Sequence, residues 1–198
     1  MTYPPRLCFD GALYHITARG DNRERIFIDD ADRRYYLSLL HRYKHERFHF
    51  KLHAYVLMTN HIHLILEPSP GTIVSRIMQC LAIVYTRYFN RRHNRVGHEF
   101  QGRFRSRLID KDTYLLVPSR YVHLNPVRAG LVRHPQEHPW SSYQAYLNGQ
   151  DPWGIVDTAD VLNLVLLSNS AGSEERRLSY RLFVEAQWPS RSDLELES

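Results

Sequence analysis

Apolar and polar positions change period several times along this chain, and each change marks an element. Leu13-Tyr14-His15-Ile16-Thr17-Ala18 is short, aromatic and β-branched, which predicts a strand. Arg19-Gly20-Asp21-Asn22 predicts the turn after it. Tyr36, Leu37, Leu40 and Tyr43 then recur at helical spacing behind Asp29 or Asp30 as a cap, in a helix that fades near His45. His49 to Met58 reads as a second strand, Thr59-Asn60 as a tight break and His61 to Glu67 as a third strand. In the third strand Ile62, Leu64 and Leu66 alternate with His61, His63 and Ile65. Two strands this close in sequence predict an antiparallel hairpin.

Pro68-Ser69-Pro70-Gly71 closes the hairpin, and Thr72 is the expected cap of a helix whose stripe is Ile73, Ile77, Leu81, Val84 and Tyr88. Arg103 to Ile109 sets Arg103, Arg105 and Arg107 against Phe104 and Leu108, the pattern of a half-exposed strand with a basic outer face. Asp112 or Thr113 caps a last helix running through Tyr121 toward Asn125-Pro126. Pro118 falls inside that expected helix, where it predicts a kink or a fresh start just before Tyr121. The order βαββαβ, then α, predicts an α+β, ferredoxin-like antiparallel sheet with two helices on one face. The third helix, which carries the tyrosine, is left to cover the other face or its edge. Short helices over Ser141 to Leu147, Thr158 to Leu167 and Glu174 to Ala186 follow, with a frayed end from Ser190 to Ser198. The expected division is a domain over 1–131 and a helical extension over 132–198.

Composition adds bounds. The chain has 198 residues, 43% hydrophobic and 24% charged, a globular balance. No apolar run approaches the roughly 18 residues that span a bilayer, which predicts no membrane association. The N-terminus lacks the charged-then-apolar pattern of a signal peptide, and Cys8 and Cys80 give neither metal spacing nor a disulfide framework, so a reduced, cytoplasmic protein is expected. The net charge is +5, and its placement says more than its size. Arg87, Arg91, Arg92, Arg95, Arg103, Arg105 and Arg107 interleave with Tyr88, Phe89, Phe100 and Phe104. Guanidinium forks bind phosphates and aromatic faces stack unpaired bases, so single-stranded nucleic acid is the expected partner.

Two motifs carry candidate chemistry. His61-Ile62-His63 places two imidazoles on one strand face, able to grip one divalent cation. Tyr121 and Asn125, four apart, share a helix face: a phenol is a possible nucleophile and an amide oxygen an acceptable ligand for a hard cation. Each motif also has a structural explanation, as exposed histidines, a packed aromatic and a residue that ends a helix before proline.

The strand Tyr55-Val56-Leu57-Met58-Thr59-Asn60-His61-Ile62-His63-Leu64 resembles the REP-associated tyrosine transposases, of the HUH single-tyrosine class. So do Gly97-His98-Glu99-Phe100-Gln101-Gly102-Arg103-Phe104 and the stretch Ser119 to Gly130. Tyr14 to Arg25 and Pro139-Trp140-Ser141-Ser142-Tyr143 also fit, so the resemblance spans roughly Leu13 to Tyr146. It implies a metal-dependent endonuclease and strand transferase acting on single-stranded or hairpin DNA through a 5′-phosphotyrosine link. By that resemblance Tyr121 is the nucleophile, and His61, His63 and Asn125 are ligands of Mg2+ or Mn2+. Arg103, Arg105 and Arg107 are expected to hold the DNA backbone, with Arg19, Arg23, Arg91 and Arg92 as further phosphate contacts. The chain is expected to act as a monomer or a homodimer, the tyrosine serving its own subunit or a partner's.

Three rivals remain open at this point. One is a catalytically impaired transposase derivative that only binds DNA, the outcome Pro118 suggests. Another is an RNA-recognition module of the same element order, although its aromatic signature is absent. The third is a metal-dependent hydrolase using water, with Glu67 or His53 as its additional ligand or base.

Overall fold

The computed structural model describes residues 9–109, 115–165 and 172–186. The order is β1 (Leu13–Arg19), α1 (Asp30–Arg42), β2 (Lys51–Leu57), β3 (His61–Glu67), α2 (Val74–His93) and β4 (Arg105–Ile109). After these come α3 (Leu116–Arg128), α4 (Tyr143–Asn148), α5 (Ala159–Val165) and α6 (Ser173–Glu185). The strands form one antiparallel sheet in the order β2-β3-β1-β4. Two βαβ units therefore interleave, as the element order predicts.

Local chemistry explains most boundaries. Asp29 caps α1: its carboxylate accepts from the backbone of Ala31 and Asp32, and the Asp32 carboxylate accepts in return from the Asp29 backbone. The regular part of α1 ends at Arg42, followed by a wider turn over Tyr43–Phe48 that His49 reverses at a φ of 51°. The cap expected at Thr72 is not formed. Ile73 occupies the N-cap position without a side-chain bond, and Thr72 instead donates its backbone N–H to Ser69 within the turn. The buried stripe of α2 is also rotated from the expected one. Val74, Ile77, Met78, Leu81, Tyr85 and Phe89 face the core, whereas Ile73 is exposed and Tyr88 stacks on Tyr35 at 3.7 Å. The two stripes share Ile77 and Leu81, so hydrophobic spacing alone does not choose between them.

Both faces of the sheet are covered. One carries Ile16, Leu64 and Leu66 under α1 and α2. The other carries Ala54, Val56 and Ile65 under Tyr121, Val122 and Leu124 of α3, joined by Tyr143, Tyr146, Tyr180 and Val184 from α4 and α6. The third helix thus takes the face left open by the sequence pattern. Pro118 does not kink it. Because α3 begins at Leu116, Pro118 lies in the first turn, where its nitrogen has no helical bond to lose. The proline inside the helix is Pro126, close to its end. The expected caps at Asp112 and Thr113 and the fraying from Ser190 lie outside the described residues. Among those described, no helix is long and apolar enough to cross a membrane.

The extension also closes an edge. Leu57 N–H donates to Trp140, Ser142 N–H to Tyr55 and Asp157 N–H to Leu52, so the outer side of β2 is paired and not left open. His123 ties the helices together from within. It is fully buried, with Nδ1 2.8 Å from the Tyr180 hydroxyl and Nε2 2.8 Å from Ser142 Oγ.

This burial predicts acid sensitivity. Desolvation holds His123 down at about 3; desolvation, with Arg107 as a lesser cause, holds His15 at about 4. Below the ordinary value of 6.5 the unfolded chain takes up protons that these folded rings refuse, so stability falls as pH drops from 6.5 toward 4. Each such histidine contributes up to about 1.4 kcal/mol per pH unit. His53, His63 and His138 are shifted the same way, whereas burial pushes the Glu99 carboxyl up to about 7, which offsets one of them. In chelator-treated protein, the urea midpoint is expected to fall steadily between pH 6.5 and 4.5. A flat profile would contradict the buried neutral rings.

Candidate active site

The register of the central strands gathers the polar side chains. Thr17 stands opposite His63 and Arg19 opposite His61 across β1–β3. Arg105 stands opposite Thr17 and Arg107 opposite His15 across β1–β4. Opposed residues, and residues two apart, share a face. His15, Thr17, Arg19, His61 and His63 therefore point to the side covered by α3, together with Arg105 and Arg107. Between that face and α3 lies a cavity of about 680 Å³, which Tyr121 and Asn125 line from the helix side.

The turn after β1 shapes one wall. Gly20 donates its N–H to Asn60, and a Cβ at Gly20 would fall 2.3 Å from the Glu24 carbonyl, so only glycine fits. That turn brings Arg23 to the cavity, and Asn60 Nδ2 donates to the Arg23 carbonyl at 3.0 Å.

The two histidines of the HxH motif sit 5.0 Å apart, ring centre to ring centre. They differ in burial: His61 is half-buried, whereas His63 is 5% exposed. Each has a partner on Nδ1. His61 Nδ1 is 2.7 Å from Asn60 Oδ1; His63 Nδ1 is 3.0 Å from His15 Nε2 and 3.1 Å from Thr17 Oγ1. Burial, then the His15, His61 and Arg19 charges, push the His63 imidazole well below the ordinary histidine range. It is therefore neutral, the form that ligates metals.

Tyr121 meets both buried histidines edge-on, its ring centre 5.5 Å from that of His15 and 5.6 Å from that of His63. The Arg128 guanidinium lies over its face at 4.7 Å. Tyr121 is only 5% exposed and belongs to the second core, so it forms the floor of the cavity and does not project from its wall. One turn on, Asn125 Nδ2 donates to the Tyr121 carbonyl at 3.0 Å. That fixes the amide nitrogen and leaves Oδ1 as the atom it can offer a cation.

Of the arginines expected to meet DNA, Arg19, Arg23, Arg103, Arg105 and Arg107 line the cavity. Arg91 and Arg92 do not. They sit on α2, which packs on the opposite face, and Arg92 is paired with Asp29 and Asp32 at 2.6 Å each. Glu67 and His53, considered as additional ligands to the HxH pair, are likewise absent from the cavity lining. Sequence reasoning missed His15, Thr17 and Arg128. The alternation His15, Thr17, Arg19 against Tyr14, Ile16, Ala18 was a signal for the first two, and the spacing 121, 125, 128 along one helix face was a signal for the third.

A family model described as transposase IS200-like matches residues 8–125. No curated protein matches the chain. Among solved structures the fold is similar to that of a REP-associated tyrosine transposase bound to a REP hairpin. The TM-score is 0.62 at 20% identity, over 80% of this chain and 93% of that one.

Proposed function

Because the chain belongs to the IS200-like transposase family, we propose that it cuts and rejoins single-stranded or hairpin DNA through Tyr121, as a REP-associated tyrosine transposase. One observation carries this reading. A phenol, two neighbouring imidazoles and a row of arginines share one cavity within a single chain. That these groups meet within one chain supports a tyrosine acting in its own subunit.

The donor set fits a divalent cation such as Mg2+ or Mn2+. With Nδ1 of both rings engaged by Asn60, His15 and Thr17, Nε2 is the atom each histidine would offer, and Asn125 Oδ1 would be a third donor. Such an ion, when bound, would supply Lewis acidity toward the scissile phosphate. The chain's own residues do the rest. Tyr121 oxygen forms the new bond to phosphorus while the 3′ oxygen leaves, giving a 5′-phosphotyrosine and a free 3′-OH. Attack by another 3′-OH reverses the step and rejoins strands, so the bond is conserved without ATP. A free phenol titrates near 10, so attack requires loss of its proton, and the Arg128 guanidinium lies over the ring at 4.7 Å. His123, locked between Tyr180 and Ser142, serves to hold α3 in place and not to move protons. The fit of Pro118 in the first turn of α3 removes the reason to expect an impaired copy.

The test is incubation with labelled hairpin single-stranded DNA and Mn2+, followed by a denaturing gel. A shifted protein–DNA adduct beside a released strand is expected. Cleavage without an adduct would assign attack to water, and binding without cleavage would leave a DNA-binding derivative.

Arg105 and Arg107 face the cavity from β4 and should contact phosphates. Each lost contact lowers the slope of log affinity against log salt by about 0.7 for single strands. The double change Arg105→Ala, Arg107→Ala is therefore expected to reduce the slope by about 1.4 and weaken all sequences alike. An unchanged slope would remove β4 from the DNA path.

A further inference from the structure

At the far end of the same sheet face, donors from three elements converge. The β2–β3 register shifts between Leu52 and Ala54, so His53 occupies an irregularity of the strand. Such bulges re-aim a side chain. His53 is fully buried, and its ring is flanked by two carboxylates. Nε2 lies 3.4 Å from Glu67 Oε2 at the end of β3, and Nδ1 lies 4.0 Å from Asp160 Oδ2 in the first turn of α5. One donor atom from each residue lies within 4.8 Å of the other two.

Hydrogen bonding accounts for only half of this ring, since Nε2 shares one long bond of 3.4 Å with Glu67 Oε2. His53 Nδ1 is buried with no hydrogen-bond partner. A charge-assisted bond between imidazole and carboxylate would be about 2.7–2.9 Å long, shorter than either separation here. An imidazole gives one nitrogen to an ion, and one His53 nitrogen lies within 4.8 Å of an oxygen from each carboxylate, so a small side-chain adjustment would gather the three donors on one ion. Bonds of about 2.0–2.2 Å in a tetrahedron put neighbouring donors about 3.4 Å apart. One imidazole and two carboxylates also match the charge and the ligand preferences of a zinc-class cation better than those of Mg2+, which keeps mostly oxygen and water. Lys51 Nζ donates to Asp160 Oδ2 at 2.9 Å, but Lys51 is half-exposed and can swing into solvent.

We propose that His53, Glu67 and Asp160 bind a zinc-class divalent cation that pins α5 to the sheet. This site is separate from the tyrosine cavity. Glu67 lies four positions along β3 from His63, a distance of about 13 Å along the strand. The role of the ion is structural. It joins the extension to the irregular stretch of β2, where Asp157 also pairs with Leu52 and with Lys44.

The experiment uses the full chain carrying His61→Ala and His63→Ala, so that the tyrosine cavity takes up no metal. After chelator treatment it is titrated with Zn2+ by calorimetry and with Co2+ by visible absorption, and thermal unfolding is followed with and without Zn2+. One ion per chain and a raised melting temperature are expected. Adding His53→Gln should weaken uptake more than the about 10–100-fold typical of outer-sphere changes. Should that variant not fold, Asp160→Ala at a partly exposed helix position is expected to give the same loss. No uptake by the parent, or uptake unaltered by Asp160→Ala in folded protein, would overturn the proposal. Loss of DNA cleavage plays no part in this test, so the site stands or falls apart from the tyrosine chemistry.

Discussion

A Tyr121→Phe protein is expected to form no covalent adduct with hairpin DNA and to lose strand cleavage by on the order of 10⁴-fold or more, as removal of a nucleophile does elsewhere. Its affinity for the same DNA should stay within about threefold of the unaltered chain. The reasoning is geometric. A phenyl ring keeps the edge-on contacts with His15 and His63 and the guanidinium of Arg128 over its face. Only the hydroxyl oxygen is removed, so α3 and the cavity should be unchanged. Single-turnover cleavage on a denaturing gel gives the first quantity and filter binding the second. Cleavage at the normal rate in this variant would show that water, not the tyrosine, attacks the phosphate.

The second large effect concerns the histidine pair. His61→Ala is expected to reduce cleavage by on the order of 10³-fold and to shift the Mn2+ concentration at half-maximal rate upward, while DNA binding persists. His61 is the cleaner test of the two. It is half-buried, with the neighbouring Asn60 as one side-chain partner, whereas His63 is buried against His15 and Thr17. His63→Ala would leave those groups without their partner at a cost of about 1–3 kcal/mol, and so mix stability with chemistry. EDTA should abolish cleavage by the unaltered chain and leave binding in place. Full activity in His61→Ala, or indifference to EDTA, would remove the metal from the reaction.

How much of this was legible beforehand depended on the range of the interaction. The third strand was readable to its ends, His61 and Glu67, because alternation and flanking turns are local signals. The same alternation placed His61 and His63 on one face, and the spacing of Tyr121 and Asn125 placed them on one side of a helix. What a strand faces is not local. The role of His15 depends on a β1–β3 register that joins residues 48 apart in sequence, and Arg107 joins them only through the β1–β4 register. The burial of His63 depends in turn on α3 and the extension covering that face of the sheet. The bulge at His53 leaves no trace in hydrophobic periodicity, since Leu52 and Ala54 read equally well in an unbroken strand. Pro118 was misread for a related reason. Its effect depends on where α3 begins, and the apolar residues before it give no sharp start signal.

The central claim is that the Tyr121 oxygen becomes bonded to the cut DNA. Mass spectrometry of the trypsin-digested adduct tests it most directly, because cleavage after Arg120 and after Arg128 isolates Tyr121 as the sole tyrosine of its peptide. The expected result is a nucleotide joined through its 5′ phosphate to the Tyr121–Arg128 peptide. A nucleotide on a peptide containing any other tyrosine, or efficient cleavage that leaves every peptide unmodified, would contradict the account.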